Sequence, residues 1–232
     1  NGDGTWVLAD GSLSVLSENT YDVSVSATDS VGNDGSDFTT NELEIDLASP
    51  VVGVDSLVTN DTTPELTGTV DDIAAPVSVT VGGQTLSATN NGNGTWVLAD
   101  GSLSALVEGT YDVVVSAADL AGNVGVDSTS DELEVDLTAP VVGVDSLVTN
   151  DTTPGLSGTV DDPGAVVSVV VNGQTVSAIN AGDGTWSVAD GVLDALSENV
   201  YDVSVSAIDA AGNVGSDGTT NELEVDLTAP VV

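Results

Sequence analysis

The chain of 232 residues has no lysine, no arginine, no histidine and no cysteine, against 38 aspartates and glutamates, for a formal net charge of -38. Each absence removes a class of function. Binding to a phosphate backbone relies on Lys and Arg, so DNA and RNA are not expected as partners. A polybasic membrane anchor is excluded for the same reason. Without cysteine there is no disulfide framework, thiolate metal site or thiol nucleophile. Without His, Lys or Cys, no base is at hand to activate a serine. Two carboxylates could serve a glycosidase, but acidic residues occur throughout this chain, so a pair carries no signal, and no catalytic role is expected. No apolar run approaches the ~20 residues of a spanning helix, so direct membrane insertion is not expected. No signal peptide is visible, and the chain reads as an excerpt of a longer one.

What is present must offset a large self-repulsion. So many like charges destabilise a compact state unless counterions or metal ions balance them. Apolar residues make up 40% of the chain. That is enough for packed cores, and disorder is not expected.

Self-comparison sets the architecture. "NGDGTWVLADGSLSVLSENTYDVSVSATD" starts at Asn1, "NGNGTWVLADGSLSALVEGTYDVVVSAAD" at Asn91 and "AGDGTWSVADGVLDALSENVYDVSVSAID" at Ala181. The period is 90 residues with no insertion. A unit of that size suits a small domain with its own core, repeated in tandem. The division expected is 1–49 for the C-terminal part of one repeat, 50–139 for a complete repeat, and 140–232 for a second complete repeat with the start of the next linker. Half a unit buries too little to fold alone. Either the cut through a longer array is arbitrary, or a neighbouring chain completes residues 1–49.

Within a unit the pattern is that of strands. Val77, Val79 and Val81 alternate with Ser78 and Thr80; Tyr111, Val113, Val115 and Ala117 share one side; Leu133, Val135 and Leu137 alternate with Glu132, Glu134 and Asp136. Period two with Val, Thr and Tyr means half-buried strands. Gly82-Gly83, Asn91-Gly92-Asn93-Gly94, Asp100-Gly101 and Gly122-Asn123 mark turns between them. About seven short strands per unit make an all-β fold of tandem immunoglobulin-like β-sandwiches. Strand A is expected at 51–54 with a second piece at 57–59, B at 65–70, C at 77–82 and D at 84–89. E is expected at 95–99, F at 111–118 and G at 129–137. Tyr111 suits a tyrosine corner at the E–F crossover. Trp96 and Trp186 alternate with Leu98 and Val188 and are expected in the core, which disfavours a carbohydrate-binding module with exposed aromatic platforms.

In this topology the B–C and F–G loops gather at the pole where strand A enters, next to the exit of the preceding strand G. At the first junction that brings together Asp46, Asp71, Asp72, Asp119 and Asn123. At the second it brings together Asp136, Asp161, Asp162, Asp209 and Asn213. Carboxylates and an amide oxygen from three segments describe a hard-cation site, and Ca²⁺ tolerates six to eight irregular oxygens better than Mg²⁺ does. Taken alone, Asp-x-x-Gly-Asn is an ordinary turn; its recurrence beside Asp-Asp and the exit Asp is what points to metal. Asn60 and Asp61 in "TNDTTP" fit either a second site at the other pole or a proline-terminated A–B turn. "NGDGT", with Asp3 and Asp183 at the position of Asn93, is expected to be a hairpin turn.

"GTVDD", "VSVTVGGQT", "NNGNGTWVLADG", "EGTYDVVVSAADLAGN" and "VDLTAP" together resemble the bacterial Ig-like repeats of giant calcium-dependent adhesins, of the biofilm-associated and RTX type. The resemblance covers the whole chain. It implies an extracellular, non-catalytic extender on a bacterial cell surface, with Ca²⁺ between domains and neighbouring repeats as the partners. The alternatives are a carbohydrate- or surface-ligand-binding sandwich and a unit of an extracellular filament.

Overall fold

Runs of valine alternating with serine and threonine favour extended chain over helix, because branched side chains pack well on a pleated surface. A computed structural model describes residues 4–127 and 129–232, and among them every regular element is a strand. Asp3 of the first "NGDGT" lies outside the described residues. The chain packs as two compact units. One holds Asn1–Asp55, Thr67–Leu98 and Val114–Thr129; the other holds Ser56–Leu66, Ala99–Val113 and Ser130–Val232. The last repeat lies wholly in the second unit and shows the sandwich most directly.

Its strands form three sheets. Strand A (Val142–Val144) pairs with B (Leu156–Val160), B with E (Thr185–Val188), and E with the end of D (Ile179–Asn180). The start of D (Gln174–Ser177) pairs with C (Val166–Val171), C with F (Val203–Ile208), and F with Val214–Ser216. The second piece of A (Leu147–Thr149) runs parallel to G (Leu223–Val225), which also takes Asn199–Tyr201. Strand D thus changes partner midway. In the middle repeat it is continuous, Gln84–Asn90, and pairs with both C and E. The inward residues of the last repeat close around Trp186, with Leu156, Val169, Val205, Leu223 and Val225 buried in one cluster. The Trp186 indole N–H donates to the Gly143 carbonyl at 2.9 Å, and Trp96 does the same to Gly53. Tyr111 O–H donates to Val107 O at 2.8 Å and Tyr201 to Ser197 O at 3.0 Å, which ties down the E–F corner as expected.

Strands F and G depart from the expected spans. F is two pieces: Gly109–Tyr111 pairs with Leu133–Val135, and Val114–Ala118 pairs with Val77–Val81. G is also two, Val124–Val126 and Leu133–Val135, so Leu137 lies beyond the strand and is exposed. At the crossing the Val113 N–H has no ladder partner. Glu132 supplies one: its Oε2 accepts that N–H at 2.9 Å, and Glu222 does the same for Val203. Both glutamates are therefore buried, although alternation puts them on the wet face. A buried N–H left unpaired costs about 1–3 kcal/mol, which is reason enough to bring a carboxylate inside.

Residues 4–49 repeat the second half of this pattern alone. Asn19–Tyr21 pairs with Leu43–Ile45, and Ser26–Thr28 with Asp34–Ser36. Trp6 is 62% exposed, against 1% for Trp186. A hollow of about 620 Å³ opens between Trp6, Leu8, Leu13, Val23, Val25 and Leu43. In the last repeat the equivalent side chains lie against strands A to D.

Candidate metal centre

The F–G loop is built by its own aspartate. Asp119 Oδ1 accepts the backbone N–H groups of Gly122 and Asn123 at 2.7 and 2.8 Å, and Oδ2 accepts the Asn123 amide at 2.8 Å. Gly122, at φ 95°, makes the left-handed turn this closure needs. Asp209 and Asn213 repeat the arrangement, as do Asp29 and Asn33. The asparagine then reaches outward. Asn123 Nδ2 donates to the Asp46 carbonyl at 3.1 Å, and Asn213 Nδ2 to the Asp136 carbonyl at 2.8 Å. The amide nitrogen thus binds the F–G loop to the strand leaving the preceding repeat.

The carboxylates lie around a cleft beside that tether. At the first junction a cleft of about 280 Å³ is lined by Asp46, Asp71, Asp72 and Asp119 together with the linker residues Ala48, Ser49 and Pro50. At the second, one of about 250 Å³ is lined by Asp136, Asp161, Asp162 and Asp209 with Thr138, Ala139 and Pro140. Each cleft lies within one of the two packed units. Asn123 and Asn213 do not line them. Among the described residues no three carboxylates converge closely enough to make a ready-formed metal site.

Most of these aspartates hold the backbone with one oxygen. Asp71 Oδ1 accepts the Val51 N–H at 2.7 Å, fixing the residue after the linker proline, and Asp161 does this for Val141. Asp72 and Asp162 cap the B–C turn through Ala74 and Gly164, and Asp46 and Asp136 cap the linker through Ala48 and Thr138. The second oxygen, Oδ2, of each of these six makes no hydrogen bond among the described residues. Three uncommitted carboxylate oxygens per cleft, a fourth carboxylate alongside and no cationic side chain anywhere in the chain suit a hard divalent cation.

Hydrogen bonds hold the F–G aspartates in their charged form. The Asn123 side chain, aided by backbone N–H groups, lowers the pKa of Asp119. For Asp209 partial burial pushes upward, but the Asn213 side chain and backbone donors outweigh it and the net shift is down. Asp29 is lowered first by the Asn33 backbone N–H. A depressed folded value contributes stability that is complete above the unfolded pKa and is lost as pH falls through the folded one. In a carbon-13 titration these three carboxylates should therefore have midpoints below the unfolded aspartate value of about 3.9. Midpoints at or above it would mean the loops are not closed in solution.

Two supports were not legible beforehand. Asn90 Nδ2 donates to both Asp72 O and Ala75 O at 2.9 Å, so strand D pins the B–C loop, and Asn180 does the same at Asp162 and Ala165. The signal was an Asn kept at the same repeat position before each D–E turn. Thr138 Oγ1 donates to Glu108, and Thr228 to Glu198, anchoring the linker to the E–F corner. The first linker has Ala48 at that position and lacks the tether.

A model of the bacterial Ig-like domain matches residues 48–137 and again residues 142–227. The chain belongs to that family. Solved structures similar to these Ig-like repeats include three from adhesins or adhesion proteins. One is a bacterial ice-binding adhesin studied for retention at the host cell surface, 26% identical, covering 78% of this chain and 67% of its own, with a TM-score of 0.38. A second is a Ca²⁺-stabilized adhesin of an Antarctic bacterium that binds ice, 25% identical over 88% of this chain and 56% of its own, with a TM-score of 0.43. The third is a four-repeat piece from the extending region of a large adhesion protein, 29% identical over 88% of this chain and 56% of its own, with a TM-score of 0.35. No curated protein matches the chain.

Proposed function

We propose that these Ig-like repeats are a non-catalytic extender of a large bacterial cell-surface adhesin, stiffened by Ca²⁺ in the junction clefts. The observation that carries the reading is the repetition of the same cleft at both linkers, each with carboxylates from the linker, the B–C loop and the F–G loop. Asp46, Asp71, Asp72 and Asp119 would hold the ion at the first junction, and Asp136, Asp161, Asp162 and Asp209 at the second. The ion supplies positive charge that the protein lacks, and joins three segments that otherwise repel. The chain's own atoms set the geometry: Asp71 and Asp161 fix the start of strand A, while Asn123 and Asn213 fix the F–G loop to the preceding strand.

Against a carbohydrate-binding role, Trp96 and Trp186 are buried and offer no face to a sugar ring. Stacking aromatic faces on sugars needs exposed rings, and the complete repeats present none from tryptophan.

Extracellular Ca²⁺ modules bind at about 10⁻⁴ to 10⁻³ M, so the array should be stiff outside a cell. Small-angle scattering on the whole chain tests this. In millimolar Ca²⁺ the maximum dimension and melting temperature should both exceed those in chelator. Asp161→Ala combined with Asp209→Ala should reproduce the chelated behaviour of the second junction even in Ca²⁺. Identical scattering and melting in every condition would leave the acidic loops as turns and remove calcium from the reading.

A further inference from the structure

The turn at Asn60-Asp61 has a neighbour that a simple A–B turn does not need. Its Asn60 N–H donates to the carbonyl of Ala211, in the F–G loop of the following repeat, at 3.1 Å. Burial agrees. Ala211 is 9% exposed, whereas Ala121, at the same loop position one repeat earlier, is exposed. A Cβ placed on Gly212 would lie 3.7 Å from the Asn60 amide nitrogen, whereas one on Gly122 would meet nothing within 4 Å. Val58, two residues before the turn, is 42% exposed, against 68% for its equivalent Val148.

The turn is formed before anything binds it. Asp61 N–H donates to Thr59 Oγ1 at 3.1 Å and Thr63 N–H to Asp61 Oδ1 at 2.8 Å. Asp151 and Thr153 repeat both bonds at 3.0 and 2.9 Å without an F–G loop against them among the described residues. The turn also joins the exit strand, since Asp136 N–H donates to Thr59 O at 2.9 Å. The F–G loop of the last repeat is therefore gripped on two sides: Asn213 Nδ2 on Asp136 O, and Ala211 O under Asn60 N–H.

We infer that the Asn-Asp turn of each repeat is a docking surface for the F–G loop of the repeat that follows it. The turn at Asn150-Asp151 is an open copy, shaped for the F–G loop of a further repeat of this same pattern. The contact suits a strongly anionic protein, because backbone N–H and C=O meet without bringing a net charge to the interface. A small residue in the loop, Ala211, lets its carbonyl come this close to the turn. Gly212, at φ 94°, makes the left-handed turn there, and a Cβ on it would come within contact distance of Asn60, at 3.7 Å. This docking rests on tandem packing of the repeats and is independent of calcium.

Hydrogen exchange on the intact chain, followed by mass spectrometry, tests it without mutation. The segments 57–66 and 147–156 have identical sequences except for Glu65 against Gly155, so their peptides are separable by mass while the intrinsic rates at Asn60 and Asn150 are the same. With chelator present, the Asn60 amide should exchange roughly tenfold or more slowly than the Asn150 amide, as a hydrogen bond that opens only locally requires. The same difference seen in Ca²⁺ but not in chelator would overturn docking as a calcium-independent contact and make it part of the metal-bound junction. Equal exchange at both sites, in chelator and in Ca²⁺, would overturn the inference and leave the calcium reading untouched.

Discussion

Trp186→Ala should lower the stability of the last repeat by about 3–5 kcal/mol, the range for removing a large buried aromatic. The ring is fully enclosed and its N–H is bonded to Gly143 O. Gly158 lies directly against it: a Cβ there would sit 2.6 Å from the ring and 2.0 Å from Gly143 O. The neighbours on that side are backbone of strands A and B, which cannot collapse into the space without breaking their pairing. The cavity should therefore persist. Chemical denaturation followed by circular dichroism measures the loss. Trp6→Ala is the internal control, because Trp6 is already largely exposed; its effect should be small. A near-neutral Trp186→Ala would refute the core assigned here.

Gly215→Ala should be at least as damaging, though it adds a single carbon. That carbon would lie 1.7 Å from the Pro140 carbonyl oxygen, a backbone atom with no rotamer to change. Strand A must then leave the sandwich or the Val214–Ser216 strand must leave F. Overpacking costs typically about 1–3 kcal/mol where side chains can yield, and here none can. The consequence reaches the junction, because Val141, next to Pro140, is held by Asp161. The expected outcome is a repeat that melts early and a junction that no longer stiffens in Ca²⁺. Gly35 is the control: its Cβ would meet only Ala27 O, at 3.9 Å, since no strand A covers residues 4–49. Gly35→Ala should be tolerated, and equal effects at Gly35 and Gly215 would show that strand A does not seat as described.

Local pattern was enough for the strand spans of A to E, the buried tryptophans and the tyrosine corner. Those depend on period-two alternation and turn residues, both written in consecutive positions. The loops that carry Asp71, Asp119 and their equivalents were also legible, because a 90-residue period aligns them by inspection. Composition alone argued against nucleic acid, since no lysine, arginine or histidine is present to balance phosphate charge.

Tertiary structure decided the rest. Strands F and G break because one strand must serve two sheets, and alternation is blind to a change of partner. Glu132 and Glu222 go inside for the same reason: the break strands a backbone N–H, and only the folded chain shows where. Asn123 could have offered oxygen or nitrogen; the carbonyl of Asp46, 77 positions away in sequence, determines that it donates. Asn60 and Asp61 looked equally like a turn or a separate site. Contact with Ala211 gives the turn a partner, and no local sequence can encode a hydrogen bond between one repeat and the next.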